Sequence, residues 1–259
     1  MTGPGGEHAF GEERRERIVW VVNARGRVRI GELAREVAAS EPTVRKDLAL
    51  LERAGLLRRT HGGALALHPP GERSFSDRLG SDAEAKTAIA RACIDLVADG
   101  DSVYLDSGTT TLRIAELLTA RNVNALTNGI AVAAALAEKP TVRHTLLGGV
   151  LRPSAGAVAG ALAVENIGRF SVGTAFIGVT GLTADGITDA DINEAQLKTA
   201  VLARARRAVV PVDPTKFGIS GFALIAPLDS VDTVVTVDAP PELHELCADH
   251  GVELIDAAG

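Results

Sequence analysis

Apolar positions recur at helical spacing through the first seventy residues, then change to short runs between polar segments. From about Glu12 to Ala24, Ile18, Val19 and Val22 face inward while Arg14, Arg15 and Arg17 face mostly outward. Ile30 to Val37 predicts a short helix with Leu33, Ala34 and Val37 on its inner side. A tight turn through Ala38 to Ser40 leads into a third helix, whose stripe is Val44, Leu48 and Leu51. Thr43, Lys46 and Arg53 face away from that stripe, and Arg45 lies on its flank. Ser40 reads as N-cap, Pro42 sits early in the first turn, and Glu41 lies beside the positive end of the helix dipole. Gly55 stops the helix. The segment LLRRTH–GG–ALAL that follows predicts a hairpin turning at Gly62-Gly63, and Val28-Arg29-Ile30 offers a short strand to pair with it. Residues 12–67 therefore predict a winged helix-turn-helix.

His68-Pro69-Pro70-Gly71 breaks regular structure, and a linker is expected over 68–80. A helix through Ala98 opens a second domain, residues 81–259. Strands are predicted at Val103–Leu105, Val123–Leu126, Val142–Leu147, Thr174–Val179, Ala208–Val212, Ala223–Ile225, Thr233–Val237 and Val252–Ile255. Helices are predicted at Thr110–Leu118, Ala131–Glu138, Leu162–Ile167, Ile192–Arg206 and Pro241–His250. Short apolar strands alternating with helices give an α/β fold, a mostly parallel sheet covered on both faces. Ligands of such sheets bind at the carboxyl ends of the strands, where the Gly-rich loops of this chain fall.

Composition refines this picture at three points. The chain has 259 residues, 46% hydrophobic and 23% charged, enough for two cored domains. Residues 1–70 hold 12 Lys/Arg against 9 Asp/Glu, while the rest hold 15 against 24, so a mildly basic head precedes an acidic body. That asymmetry favours one local nucleic-acid contact over general coating. No apolar run approaches a membrane span, and the start of the chain, expected to be a disordered tail to about Gly11, has no signal-peptide core. Cys93 and Cys247 fall in separate helices and form no disulfide framework, which fits a reducing cytoplasm. His244-x-x-Cys247-x-x-His250 has steps of three that rotate its side chains apart over two turns, so a plain surface helix is expected rather than a metal site.

Two stretches carry chemistry. A short helix presenting Thr43, Arg45 and Lys46 can reach base edges and phosphates in a major groove, and a hairpin with Arg58, Arg59 and His61 can serve as its wing. An ordinary amphipathic surface helix would show the same charges; its flanking elements distinguish this one. Asp106-Ser107-Gly108-Thr109-Thr110-Thr111 follows the first strand of the second domain and opens a helix. A tight glycine turn, free N–H groups and hydroxyls suit a phosphate, although Ser/Thr capping explains the same residues. No Gly-Lys-Ser/Thr follows, so this is not a Walker A loop and nucleotide hydrolysis is disfavoured.

These stretches resemble the DeoR family of bacterial transcriptional regulators. Ser40, Thr43, Val44, Arg45, Lys46, Asp47 and Leu48 match its recognition helix, and Arg58-Arg59-Thr60-His61-Gly62-Gly63 its basic wing. The likeness continues through the Asp106–Thr110 loop, Thr127-Asn128-Gly129, Leu147-Gly148-Gly149, Phe176-Ile177-Gly178, the Asp191-x-x-Glu194-x-x-x-Lys198 helix and Asp213–Gly218. It covers about residues 12–240. The resemblance implies a C-terminal domain similar in fold to ribose-5-phosphate isomerase that senses a phosphorylated sugar. Asp106, Ser107, Gly108, Thr109 and Thr110 would hold the phosphate or adjacent hydroxyls, Asn128, Gly148 and Gly149 would line the pocket, and Lys198 and Lys216 would supply positive charge. Ser40, Thr43, Arg45, Lys46, Arg58, Arg59 and His61 would meet double-stranded operator DNA. Thr180-Gly181 and Pro214 depart from the family's usual Asp-Gly and Ser, which bears on the sugar accepted.

Taken separately, Glu194 and Lys198 could be a helix-surface pair, Gly148-Gly149 a turn, and Lys216 a solvated loop residue. Their joint occurrence at strand ends favours a pocket. The expectation is a cytoplasmic DNA-binding repressor of carbohydrate-metabolism genes, acting as a homo-oligomer, with no cofactor, metal or catalytic residue. The alternative is a sugar-phosphate isomerase fused to a DNA-binding head, with Asp106, Asp189, Asp191 or Glu194 as base. Against it, the chain lacks the Lys-Gly-Gly-Gly and Gly-Ala-Asp-Glu segments of the isomerases it resembles.

Overall fold

The computed structural model describes residues 5–25, 27–54, 56–60, 62–65 and 74–257. The chain separates into two compact units, Met1–Arg73 and Ser74–Gly259.

In the first unit, α1 (Gly5–Arg25) is followed by β1 (Arg27–Arg29), α2 (Ile30–Glu36), α3 (Glu41–Arg53), β2 (Arg58–Thr60) and β3 (Gly63–Leu65). Helix α1 starts at Gly5, so residues 5–11 are not the tail the sequence suggested. Ile18, Val22, Leu33, Val44, Leu48 and Leu51 close one core, joined by Val21 and Leu57. Asp47 is buried beneath α3, where Arg14 Nε donates to its Oδ2 at 2.7 Å.

Strand β3 lies between β1 and β2. Thr60 pairs with Gly63, so the hairpin turns one residue earlier than Gly62-Gly63 and Gly63 belongs to the strand. The reason is steric. Gly63 also faces Arg29, and a Cβ there would collide with the Val28 carbonyl. His61 and Gly55 lie outside the described residues.

The second unit contains α4 (Phe75–Leu79), α5 (Ala83–Ile94), β4 (Ser102–Leu105), α6 (Thr109–Leu117), β5 (Val123–Thr127), α7 (Ile130–Ala137) and β6 (Val142–Leu146). Next come β7 (Val150–Arg152), β8 (Ala157–Ala159), α8 (Ala161–Ile167), β9 (Val172–Phe176), β10 (Gly181–Thr183), β11 (Gly186–Asp189) and α9 (Ile192–Leu202). Last are β12 (Ala205–Pro211), β13 (Ala223–Ala226), β14 (Thr233–Thr236), α10 (Pro241–Asp249) and β15 (Glu253–Asp256). Helix α4 falls inside the expected linker, formed because Ser74 Oγ accepts from Asp77 N while the Asp77 carboxylate accepts from Ser74 N.

Seven strands form one sheet in the order β15-β14-β12-β9-β4-β5-β6, with every pair parallel. Alternation along the strands divides the core. Tyr104, Ala175, Val210 and Val234 pack towards α8, α9 and α10, whereas Val103, Leu105, Phe176, Val209 and Val235 pack towards α5, α6 and α7. The chain runs outward from β4 to β5 and β6 on one side, and from β9 to β12, β14 and β15 on the other. The boundary between β4 and β9 is therefore the topological switch point, where a crevice opens beyond the carboxyl ends.

Two departures from the expected elements bear on the site. Helix α9 ends at Leu202 rather than Arg206, because Ala205 and Arg207 pair with Val172 and Thr174 as strand β12. The hairpins β7-β8 and β10-β11 were not foreseen, and β13, expected as the strand Ala223–Ile225, pairs antiparallel with β11 outside the parallel sheet.

Candidate functional site

The loop after β4 and the loop after β9 meet at the switch point. Asp106 N donates to Phe176 O at 3.1 Å, and Gly178 N donates back to Asp106 Oδ2 at 3.0 Å. Gly178 permits this approach, since a Cβ there would stand 2.9 Å from that oxygen. Thr111 Oγ1 donates to the Asp106 and Gly108 carbonyls at 2.6 and 2.8 Å, bracing the loop from within the helix. Gly108 is the N-cap of α6 and provides no side-chain cap, so the N–H groups of the first turn face the crevice with a partial positive charge. Ser107, Thr109 and Thr110 are buried around them.

Lys198, from α9, is the centre of the charge cluster. Its Nζ lies 3.0 Å from Asp106 Oδ2, 2.5 Å from Asp189 Oδ2 and 2.8 Å from Gly178 O. Those three contacts use the three donors of an ammonium, so Lys198 fixes the carboxylates rather than presenting a free cation. Burial pulls its pKa down, but Asp106, Asp189 and Glu194 together raise it above the ordinary lysine value. Burial pushes the Asp189 carboxyl up, yet the Lys198 charge and hydrogen bond leave it lowered.

Glu194 takes the opposite course. Burial, with Asp189 and Asp106 nearby, raises it to about 7 despite Lys198 and Arg152. Its other oxygen is held by Arg152 of β7, whose Nε also lies 3.6 Å from Asp191 Oδ2. Asp191 is the N-cap of α9 and accepts from Asn193 N and Glu194 N. Sequence reasoning missed Arg152, and no motif surrounds it to announce it.

One polar atom in this cluster stands out. Asp106 is 1% exposed, and its Oδ1 has no hydrogen-bond partner among the described residues. A buried carboxylate oxygen left unpaired is costly, so this atom marks a place for a donor.

The remaining residues sort by how their groups are used. Asn128 is fully buried; it accepts from Tyr104 Oη at 2.8 Å and donates to Val158 O at 3.0 Å, so its amide shapes the wall. Gly149 packs against β8 where a Cβ would meet Ala159 O at 2.8 Å, and Gly148 is exposed beside it. Lys216 donates to Val179 O at 2.9 Å and lies 3.8 Å from Asp213 Oδ2. Burial, together with Arg78, Lys198 and Lys86, pushes its amine down to about 8 against the pull of Asp213. Of the two predicted lysines, only Lys216 keeps donor capacity for an anion. Among the described residues, no group of three His, Cys, Asp or Glu side chains is arranged to hold a metal.

In the first unit, Ser40 caps α3 by accepting from Thr43 N, and the two hydroxyls lie 2.9 Å apart. Lys46 and Arg58 are exposed; Arg45 is exposed and pairs with Glu41 at 3.2 Å. Arg59 Nε donates to Glu52 Oε2 at 2.7 Å while its N–H donates to the other oxygen at 2.9 Å, pinning the wing to the end of α3.

Residues 14–69 match the DeoR-like helix-turn-helix domain, and residues 81–238 match the DeoR C terminal sensor domain. The chain belongs to the DeoR family. A putative aga operon transcriptional repressor of Escherichia coli O157:H7 is 32% identical to it, covering 94% of this chain and 93% of that protein. The glycerol-3-phosphate regulon repressor of Escherichia coli (strain K12) is 31% identical, covering 93% of this chain and 97% of that one. Family membership makes the protein a helix-turn-helix transcriptional regulator. Ribose 5-phosphate isomerase A of Methanocaldococcus jannaschii overlaps it with a TM-score of 0.39 and 17% identity, over 53% of this chain and 55% of that chain. Among the described residues of this DeoR-family chain, no helix is long and apolar enough to cross a membrane.

Proposed function

We propose that this regulator is a cytoplasmic repressor of carbohydrate-metabolism genes whose operator affinity is set by a phosphorylated sugar. The observation that carries the reading is the unpaired, buried Asp106 Oδ1 beside the uncapped start of α6. The carboxylate would accept from a sugar hydroxyl. The N–H groups and hydroxyls of Ser107, Gly108, Thr109 and Thr110, with Lys216, would take the phosphate. Asn128, Gly148 and Gly149 would shape the far wall, and Lys198 would hold Asp106 in place.

On the DNA side, Ser40, Thr43, Arg45 and Lys46 would enter a major groove, with Arg58, Arg59 and His61 on the wing. Two half-sites call for a homo-oligomer, dimer or higher. The exposed apolar side chains of Val150, Leu151 and Leu162, 66, 51 and 59% accessible, support association between copies.

The isomerase alternative needs a carboxylate free to take a carbon-bound proton. Asp189 is tied to Lys198 and Glu194 to Arg152, and Asp106 is held by Lys198 through one oxygen while the other would accept from the sugar hydroxyl, which supports a binding site over a catalytic one, with no cofactor required. A thermal-shift screen of the full chain against pentose and hexose phosphates tests the proposal, since a ligand of the folded form raises Tm. Stabilisation by a sugar phosphate but not by its parent sugar supports it. No stabilisation by any of them, or catalytic turnover of one, overturns it.

A further inference from the structure

From Phe217 to Pro227 the sequence carries no charged residue, and three of its large apolar side chains are exposed. Phe222 is 83% accessible, Leu224 55% and Ile219 47%. Alternation separates the two sides of β13. Ala223 and Ile225 turn into the core, so Phe222 and Leu224 share the opposite face. Aromatic side chains are enriched where proteins meet, and each buries roughly 150–250 Å² when covered.

The backbone that displays these side chains is anchored on both sides. Gly218 N donates to Leu182 O at 2.9 Å, and Gly221 N donates to Thr188 Oγ1 at 2.8 Å. A Cβ on Gly181 would stand 1.9 Å from Ile219 O, and a Cβ on Gly221 would stand 2.5 Å from Asp189 O. A face fixed in this way meets a partner at little ordering cost. The outer edge of β13 is not open, because Thr199 Oγ1 of α9 donates to Ile225 O at 2.7 Å. A partner would therefore use the face rather than add a strand.

Charge identifies that partner. Residues 71–259 hold 15 basic against 24 acidic residues, so two copies of this body repel each other wherever their charges face. An uncharged face is where they can meet without that cost, and a two-fold axis brings the same patch of each copy together. Nucleic acid or an anionic lipid surface would call for basic residues, and this segment has none. Exposed apolar segments usually carry charges that discourage association, yet none interrupts this one. We propose that Ile219, Phe222 and Leu224 form an interface with a second copy of this chain. The proposal rests on the homo-oligomer reading above and places a contact on β13, in addition to the apolar side chains of β7 and α8.

The test is sedimentation equilibrium of the full chain over a concentration series. The unmodified chain should associate. Phe222→Glu should weaken the association constant about 30-fold or more, the loss expected of an aromatic anchor at an interface. Circular dichroism checks that this exposed substitution leaves the fold intact. A second measurement needs no variant: amide hydrogen exchange at residues 219–224 should slow as the unmodified chain is concentrated. A chain that stays monomeric, an equal association constant in Phe222→Glu, or exchange at 219–224 that ignores concentration each overturns the inference. If Leu151→Glu dissociates the chain and Phe222→Glu does not, the homo-oligomer reading stands and this one fails. If Phe222→Glu dissociates the chain but operator is bound one-to-one by either form, this inference stands and the reading of an oligomer on DNA fails. If the monomer binds phosphatidylcholine vesicles and Phe222→Glu does not, the face belongs to a membrane and the inference is overturned.

Discussion

Lys198 Nζ lies 3.0 Å from Asp106 Oδ2, so the one lysine of α9 holds the one carboxylate that follows β4. Both groups are buried, and Asp189 shares the same ammonium. Removing the cation would leave two buried carboxylates uncompensated. Lys198→Met should therefore destabilise the second unit by roughly 3–5 kcal/mol, read as a lower urea midpoint. An unchanged midpoint would show that the carboxylates are solvated and that Lys198 is a surface charge.

The same cluster sets a pH dependence. Glu194 has a folded-state pKa of about 7, above the ordinary carboxylate value of 4.5. Between those values the folded chain holds a proton that the unfolded chain has released, so stability falls as pH rises from 4.5 to 7. Lys216 is at about 8, below its ordinary 10.5, so from 8 upward the unfolded chain binds the extra proton and stability climbs again. Each group contributes a slope of at most about 1.4 kcal/mol per pH unit. Urea midpoints should pass through a minimum near neutrality, and Glu194→Gln should flatten its acidic limb. A Glu194→Gln profile that overlays the original would remove Glu194 from the account.

On the DNA side, the partners of the exposed cations differ. Lys46 and Arg45 are both exposed on α3, and Arg45 is engaged with Glu41. Lys46→Ala should weaken operator binding and, if it meets phosphate, lower the salt slope by about one unit on any sequence. Arg45→Ala should weaken operator binding too, with relaxed specificity if the side chain reads a base. Operator titrations across a salt series decide this, and unchanged affinity in both variants removes α3 from the interface.

The wing supplies a steric test. A side chain on Gly63 would strike Val28 O and press on Arg29 Cα. Gly63→Ala should separate β3 from β1, costing about 1–3 kcal/mol and weakening operator binding. Gly62→Ala, with open space around its Cβ position, should be far milder in the same melting experiment.

Much of this was legible in the sequence because local signals and packing agreed. The stripe Val44, Leu48, Leu51 and the cap Ser40 appear as read. The parallel strands β4, β5, β9, β12 and β14 announce themselves as apolar runs because both of their faces are covered. Helix α9 was overextended because Ala203, Arg204 and Ala205 suit a helix locally, and only pairing with β9 turns Ala205 into strand. Strands β7, β8, β10 and β11 are three or four residues long, too short to show alternation.

At the site, the sequence named Asp106, Ser107, Lys198 and Lys216 but could not say which cation is spent. Only the distances show that Asp189 and Asp106 occupy Lys198. Arg152 was invisible for the same reason: it sits on a short element, and its partners Asp191 and Glu194 are distant in sequence.

The most direct measurement is an operator titration of the full chain, with and without the sugar phosphate that gives the largest thermal shift. A regulator of the kind proposed should change its operator affinity by about 5–150-fold on binding, a coupling of ~1–3 kcal/mol. Lys216→Ala should bind operator normally without effector and lose most of that response. If no sugar phosphate alters operator affinity, or if Lys216→Ala responds like the unmodified protein, the crevice between β4 and β9 is not the site through which this protein is controlled.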